Sequence, residues 1–245
     1  MLSFLITTLA GISTMVGIFP IFMKNKSKNV IIPFSLAFSA GVMLAISIFS
    51  LIPEATVLLK EKFLSIPTFL LVAIFIVMGI LFSSTIDKKI EEKFTNDALY
   101  KLGIISVIVL MLHNIPEGIT TFISSQANLS LGITLSLGIA LHNIPEGISI
   151  AVPIYYATGS KKKAILYTLI SGFSELFGAI VAYFFLAPYI TSFGLAIVLA
   201  IAAGIMIHIS IYELLPVSWS YRTPKPSTLA FILGFAVMLL CDFLM

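Results

Sequence analysis

The sequence has little charge and almost no cysteine. Only 10% of its 245 residues are charged, whereas 59% are hydrophobic, and the mean hydropathy is +1.13. A water-soluble domain carries roughly 25% charged residues, so this composition excludes one. The single cysteine, Cys241, excludes an intramolecular disulfide and a metal cluster held by several thiolates.

The hydrophobic residues form eight long runs. A hydrocarbon core about 30 Å thick needs roughly 20 helical residues. The runs lack the alternation of polar and apolar residues typical of barrel strands, so they predict an all-α polytopic membrane protein. We place its eight spans at about 2–23, 31–53, 65–84, 101–124, 130–156, 163–187, 190–216 and 227–245. They use nearly the whole chain, which predicts one transmembrane domain over residues 1–245.

Basic residues between the spans predict the orientation. Of the 14 lysines and arginines, twelve flank the odd-numbered connections and two lie on the other side. The first set is Lys24, Lys26, Lys28, Lys88, Lys89, Lys93, Lys101, Lys161, Lys162, Lys163, Arg222 and Lys225, and the second is Lys60 and Lys62. The positive-inside rule then places both termini outside the cytoplasm. We therefore expect contact with lipid headgroups and not with nucleic acid. Because there is no targeting segment and the loops are short, we expect a bacterial inner membrane.

Ionisable residues lie within the predicted spans, where they are costly. They are His113, Glu117, His142, Glu146, Glu175, His208, Glu213 and Asp242. A charged side chain at the bilayer centre costs about 2.5–3.5 kcal/mol, so four uncompensated glutamates would cost on the order of 10 kcal/mol. No lysine or arginine lies inside a span beyond its edge. Protons or metal cations are therefore the remaining means of neutralising these groups.

An eight-residue repeat favours metal cations. Residues 112–119 read Leu-His-Asn-Ile-Pro-Glu-Gly-Ile, and residues 141–148 repeat them 29 positions later. Within each octet the histidine and the glutamate are four residues apart and therefore share one helix face. Spans 4 and 5 run in opposite directions, so the two octets should meet near the membrane midplane. Two histidines, two glutamates and two asparagines would then converge.

The octet prolines predict local breaks in both helices. Pro116 and Pro145 lack an N–H and disturb the bond to the carbonyl four residues earlier, at Leu112 and Leu141. Interrupted helices in symmetry-related positions are typical of transporter binding sites. We therefore expect free backbone oxygens beside the histidines and glutamates.

The donor set indicates the kind of ion. Imidazole and carboxylate with amide oxygens, and without thiolate, suit zinc, ferrous iron, manganese or cobalt, with cadmium as a further candidate. They suit sodium and potassium poorly. Because a carboxylate has two oxygens, Glu117 and Glu146 can each bridge two ions, and the hypothesis is a binuclear site.

These motifs resemble the ZIP (Zrt/Irt-like) metal transporters, and among them the bacterial ZupT-like branch. The paired His-Asn-x-Pro-Glu-Gly motifs carry the likeness. Further similar segments are Ala-Gly-Val-Met-Leu-Ala at 40–45, Ser-Gly-Phe-Ser-Glu-Leu-Phe-Gly at 171–178, and Ala-Gly-Ile-Met-Ile-His at 203–208 with Glu213. The resemblance thus covers essentially the whole chain.

The resemblance implies a two-metal site. One position would use His113, Glu117, His142 and Glu146, with the Met43 sulfur nearby. The other would use Asn114, Glu117, Asn143, Glu146 and Glu175. It also implies uptake into the cytoplasm, a three-two-three helix arrangement with inverted repeats, and homodimers. The histidine-rich cytoplasmic loop of many relatives is absent.

Other polar residues in the spans are less specific. We expect a pathway or a structural role for His208 and Glu213, and core packing for Met43. Glu54 is either an ordinary interfacial carboxylate or part of a funnel for incoming cations.

Three alternatives to a metal transporter remain open. A monovalent cation/proton exchanger would use the carboxylates as proton carriers. An intramembrane zinc enzyme would activate water, but His-Glu-x-x-His is missing, and we expect no enzyme activity. A purely structural membrane component gives no reason to keep ionisable groups at depth.

Overall fold

The structure is a computed structural model that describes residues 1–23, 27–60, 63–91, 97–186, 191–221 and 224–244. Within these ranges every regular element is a helix and no strand occurs. The prediction of an all-α protein is therefore confirmed.

The helices follow one another as eight antiparallel segments, for which we keep the term spans. Span 1 is Leu2–Ser13 with Thr14–Phe22, span 2 is Lys28–Ile46, Ser47–Leu51 and Ile52–Lys60, and span 3 is Ser65–Glu91. Spans 4 and 5 are Ala98–Ala127 and Leu129–Thr158. Span 6 is Lys161–Val181 with Ala182–Leu186, span 7 is Ser192–His208, Ile209–Leu214 and Leu215–Trp219, and span 8 is Pro224–Leu244.

Seven of the described helices are long and apolar enough to cross a membrane, namely spans 1 to 7. Span 8 has 21 residues, but its apolar stretch, Lys225–Cys241, is shorter than in the other spans. Many large apolar side chains point outward; on span 3 they include Ile66, Leu70 and Leu81, which are 76%, 60% and 60% exposed. Such faces are compatible with lipid and not with water.

Two expectations about local structure are wrong. We ended span 3 at about residue 84 and began span 4 at about residue 101, but span 3 continues to Glu91 and span 4 begins at Ala98. We also expected breaks at Pro116 and Pro145, yet spans 4 and 5 are continuous α-helices through both. The Ser39 hydroxyl of span 2 donates to the Pro145 carbonyl at 2.8 Å, which joins span 2 to span 5 at this position.

The irregular helix turns lie elsewhere. Span 2 contains a π-helical segment at Ser47–Leu51, and span 7 contains one at Ile209–Leu214. In a π-helix, backbone bonds join residues five apart. Side chains five positions apart therefore lie closer to one face of the helix than they would in an α-helix. This matters for His208 and Glu213, which an α-helical reading places on different faces.

Close contacts at glycines join the spans into one group of four and two further pairs. A Cβ on any of these glycines would overlap a backbone carbonyl of the neighbouring helix, so these helices pack backbone against backbone. Spans 1, 4, 5 and 6, which we call the octet block, are joined by Gly11 with Gly172, Gly118 with Glu175, Gly178 with Ile115, Gly147 with Thr14, and Gly17 with Ile144. Gly41 with Phe231 and Gly234 with Phe38 join span 2 to span 8, and Gly79 with Ile201 and Gly204 with Ile76 join span 3 to span 7. We call these four spans the outer block.

The same contacts reveal an inverted repeat. Span 2 matches span 7 at a shift of 163 residues, as in Gly41 and Gly204, and both glycines meet a carbonyl of a partner span. Span 3 matches span 8 at a shift of 155, span 1 matches span 6 at 161, and span 4 matches span 5 at 29. Every glycine contact is converted into another by these shifts. The three-two-three arrangement is thus present in the packing.

Candidate metal centre

Spans 4 and 5 bring the two octets together inside the octet block. Gly118 lets span 6 approach span 4, and Gly147 lets span 1 approach span 5 equally closely. Spans 6 and 1 therefore pack directly against the octet segments of spans 4 and 5. All six octet residues named from the sequence are buried: His113, Asn114, Glu117, His142, Asn143 and Glu146.

Two histidines and two glutamates form the centre of the cluster. Within span 4, His113 Nε2 lies 3.1 Å from Glu117 Oε1. Across to span 5, His142 Nε2 lies 2.9 Å from the same Glu117 oxygen, and His113 Nε2 lies 3.6 Å from Glu146 Oε1. Donor atoms of His113, Glu117 and Glu146 all fall within 4.8 Å of one another. One ion can therefore contact donors from both helices.

Several of these buried atoms have no hydrogen-bond partner among the described residues. They include both ring nitrogens of His113, Glu117 Oε2 and Glu146 Oε1. His113 Nε2 is close to carboxylate oxygens, but the direction does not suit a hydrogen bond. Leaving a buried polar group unpaired is unfavourable, and more so for a charged one. The cluster thus has donor atoms for which a bound cation would supply the missing partner.

A second, oxygen-rich group lies next to the first. Glu175 of span 6 is fully buried and accepts a short hydrogen bond from the Asn143 amide, which also donates to the Ala10 carbonyl at 2.9 Å. Glu175 Oε2 and Asn143 Oδ1 have no partner among the described residues. The Asn114 amide lies 3.3 Å from the Ser171 carbonyl, and in its other orientation it donates to Glu146 Oε2 at 3.0 Å. All seven predicted ligands therefore lie in one connected region.

His208 and Glu213 belong to the outer block. His208 Nδ1 lies 2.9 Å from the Ser83 hydroxyl of span 3, and its ring stacks on Tyr212 with centroids 5.2 Å apart. Glu213 is 6% exposed within the π-helical segment. Met43 is fully buried among apolar neighbours, in agreement with the expectation of core packing.

A cavity of about 340 Å³ leads to the cluster from one side. Glu117 and His142 lie at its inner end, and Glu54 of span 2 is also in its wall. The rest of the lining is Ile46, Ser50, Leu51, Thr120, Thr134, Leu135, Gly138, Ile139, Leu199 and Met238. These segments adjoin the even-numbered connections, the side with few lysines. Glu54 thus lines a path to the cluster, as the funnel interpretation requires.

The family resemblance implied the inverted repeat, but its matching positions were not identified from the sequence, although some of them were already in view. Ala-Gly-Val-Met at 40–43 and Ala-Gly-Ile-Met at 203–206 are similar, and Ser47 and Ser210 both donate to the methionine carbonyl at 2.8 Å. Aligning the two segments would have revealed it. Thr14 and Glu175 also occupy corresponding positions of the repeat, but their side chains differ, so only the helix packing reveals this correspondence.

Comparison with known proteins identifies the family to which the chain belongs. Residues 88–242 match the family model described as ZIP Zinc transporter. The zinc transporter ZupT of Campylobacter jejuni is 38% identical over 98% of this chain and 94% of its own. The zinc transporters ZupT of Streptococcus mutans and Oceanobacillus iheyensis are 38% and 39% identical and cover 96% and 97% of this chain and 94% and 96% of their own. The chain is a member of the ZIP zinc transporter family.

Proposed function

We propose that this protein carries divalent transition-metal ions, zinc first among them, across a membrane into the cytoplasm. The convergence of His113, Glu117, His142 and Glu146, buried and with unpartnered donor atoms, is the observation that carries the proposal. The names of the relatives, zinc transporters, support zinc as cargo. As in the family, the activity is transport and not catalysis.

The ligand set is proposed as two adjacent positions. His113, Glu117, His142 and Glu146 would hold the first ion, since distances of 2.9–3.6 Å link their side chains in one cluster. Asn114, Asn143 and Glu175 would complete a second position with the two octet glutamates. Its oxygen-rich donors suit harder ions such as manganese, whereas imidazole suits zinc and iron.

The orientation is proposed from the loop lysines. With both termini outside, the 340 Å³ cavity opens to the exterior, so it would serve the incoming ion. Lys24, Lys26, Lys62, Lys93 and Arg222, which contribute to this count, lie outside the described residues. A bacterial inner membrane fits the bacterial relatives. Homodimer formation stays a prediction.

The two blocks support alternating access as the mechanism that we propose. The ligands all belong to the octet block, whose helices are tied together at glycines, while the outer block packs through its own glycine contacts. A shift of one block against the other can therefore move the cluster from one face to the other without disturbing its geometry. No covalent chemistry is required.

Transport in liposomes tests the proposal. Purified protein should take up zinc, with iron, manganese, cobalt and cadmium competing, and should not take up sodium. Glu117→Ala and His142→Ala should abolish uptake because each removes a donor of the first position. His208→Ala is the matched histidine control for metal binding, and its zinc stoichiometry should equal that of the wild type. Sodium uptake, or full zinc uptake by Glu117→Ala, would overturn the proposal.

A further inference from the structure

The cavity reaches the metal cluster from one side, and the inverted repeat identifies a route on the other side. The shifts of 163, 155, 161 and 29 residues convert each of these glycine contacts into another, and those of 163, 155 and 29 residues convert each cavity residue into a counterpart. Thr120 of span 4 corresponds to Ser149 of span 5, and Leu135 of span 5 corresponds to Ser106 of span 4. The counterparts of the cavity wall therefore adjoin the opposite end of the cluster.

The correspondence extends to the outer block. Ser50 of span 2 corresponds to Glu213 of span 7, and both lie in π-helical segments. Met238 of span 8 corresponds to Ser83 of span 3. The hydroxyls and the carboxylate of these counterparts are groups that can replace water around a moving cation.

We infer that the cytoplasmic exit route for the ion runs between spans 3, 4, 5 and 7, lined by Ser83, Ser106, Ser149 and Glu213, and that it is closed in this structure. The inference rests on the proposed function and adds the path of release. Burial supports it: Ser83, Ser106 and Ser149 are fully buried and Glu213 is 6% exposed. On the cavity side, by contrast, Ser50 and Leu135 are half-buried and Thr134 is exposed.

Ser106 provides an independent indication. Its hydroxyl is buried in span 4 and has no hydrogen-bond partner among the described residues. Burying an unpaired hydroxyl is unfavourable, and a helical serine ordinarily returns its hydroxyl to a carbonyl of the preceding turn. When the route opens, water can hydrogen-bond to this hydroxyl. This explains why a serine stands at this position.

Cysteine labelling tests the route, because a serine-to-cysteine change is nearly isosteric. In a Cys241→Ser background, Ser106→Cys and Ser83→Cys should react with a membrane-impermeant thiosulfonate from the cytoplasmic face of inside-out vesicles. Labelling of Ser106→Cys should block zinc transport. The matched control is Ser218→Cys, which is fully buried in span 7 but corresponds to Ala55, a residue outside the cavity wall. It should stay unlabelled.

Zinc transport is measured in the same vesicles before labelling, so that failure of the proposed function is seen separately as an inactive parent protein. If the parent transports zinc and neither Ser106→Cys nor Ser83→Cys reacts, the exit route is wrong. Reaction of Ser106→Cys without loss of transport would also overturn it. Equal reaction of Ser218→Cys would mean that general loosening, and not a defined route, exposes these residues.

Discussion

At the scale of single residues, one carboxylate connects the two helices. Glu117 Oε1 lies within 3.1 Å of His113 Nε2 and 2.9 Å of His142 Nε2, so one oxygen faces histidines of both spans. Glu175, by contrast, accepts a hydrogen bond from the Asn143 amide. The two glutamates should therefore differ in what their loss does.

Replacing Glu117 with glutamine should remove binding at both proposed positions. A lost outer-shell partner already costs about 10–100-fold in metal affinity, and a lost ligand should cost more. Glu175→Gln should leave zinc at the histidine position and halve the bound metal. Calorimetry and elemental analysis of purified variants measure both quantities. Two ions retained by Glu117→Gln would contradict the bridging role.

Acidification should weaken zinc uptake. Metal binding requires neutral imidazole and ionised carboxylate, so protons compete with the ion and are released when it binds. Unperturbed imidazole takes up a proton near pH 6.5, so uptake should fall as the outer pH is lowered from about 7 to about 5. Proteoliposome uptake with fixed internal pH measures this dependence. A steady rise toward acid pH would instead indicate proton-driven transport.

At the scale of elements, glycines decide how closely the helices approach. A Cβ at Gly147 would overlap the Thr14 carbonyl of span 1, whereas a Cβ at Gly194 would lie 3.6 Å from the Thr191 hydroxyl oxygen. Both glycines are helical, so intrinsic helix propensity affects them in the same direction. The difference between them isolates packing.

Gly147→Ala should lower the apparent midpoint of thermal unfolding, and Gly194→Ala should not. Overpacking costs about 1–3 kcal/mol, and for a chain of this size each kcal/mol corresponds to roughly 2–4 °C. A thermal shift assay in detergent compares the two variants. Equal midpoints would mean that span 1 moves away from span 5 without cost.

At the scale of the whole molecule, a buried hydrogen bond joins the two blocks. The Ser39 hydroxyl of span 2 donates to the Pro145 carbonyl of span 5, which links the outer block to the octet block beside the metal cluster. Such a bond exists only in conformations that keep these two helices in their present register. Its loss should change the balance between outward-open and inward-open forms.

Ser39→Ala should shift that balance away from the present form by about 2- to 10-fold, because a buried hydrogen bond contributes about 0.5–1.5 kcal/mol. A Thr134→Cys reporter in the cavity wall, placed in a Cys241→Ser background, should then react more slowly with an external impermeant reagent. Ser218→Ala, which removes the 2.7 Å bond to the Pro33 carbonyl within the outer block, is the control. It should leave the reporter's rate unchanged.

The sequence by itself determined that the chain lies in a lipid bilayer, that its regular elements are helices, and which octet residues form the candidate metal cluster. Continuous apolar runs admit only helices in a bilayer, and the duplicated octet places histidine and glutamate on one face through the α-helical period. The six candidate ligands of the octets could therefore be named without coordinates, and the family resemblance added Glu175.

Only the tertiary structure decided which helices share a block, where the cavity opens and that the octet prolines leave their helices unbroken. These properties depend on contacts between residues far apart in the chain, such as Ser39 with Pro145 and Gly41 with Phe231. The π-helical turn at Ile209–Leu214, which contains Glu213, is likewise not encoded by local sequence periodicity.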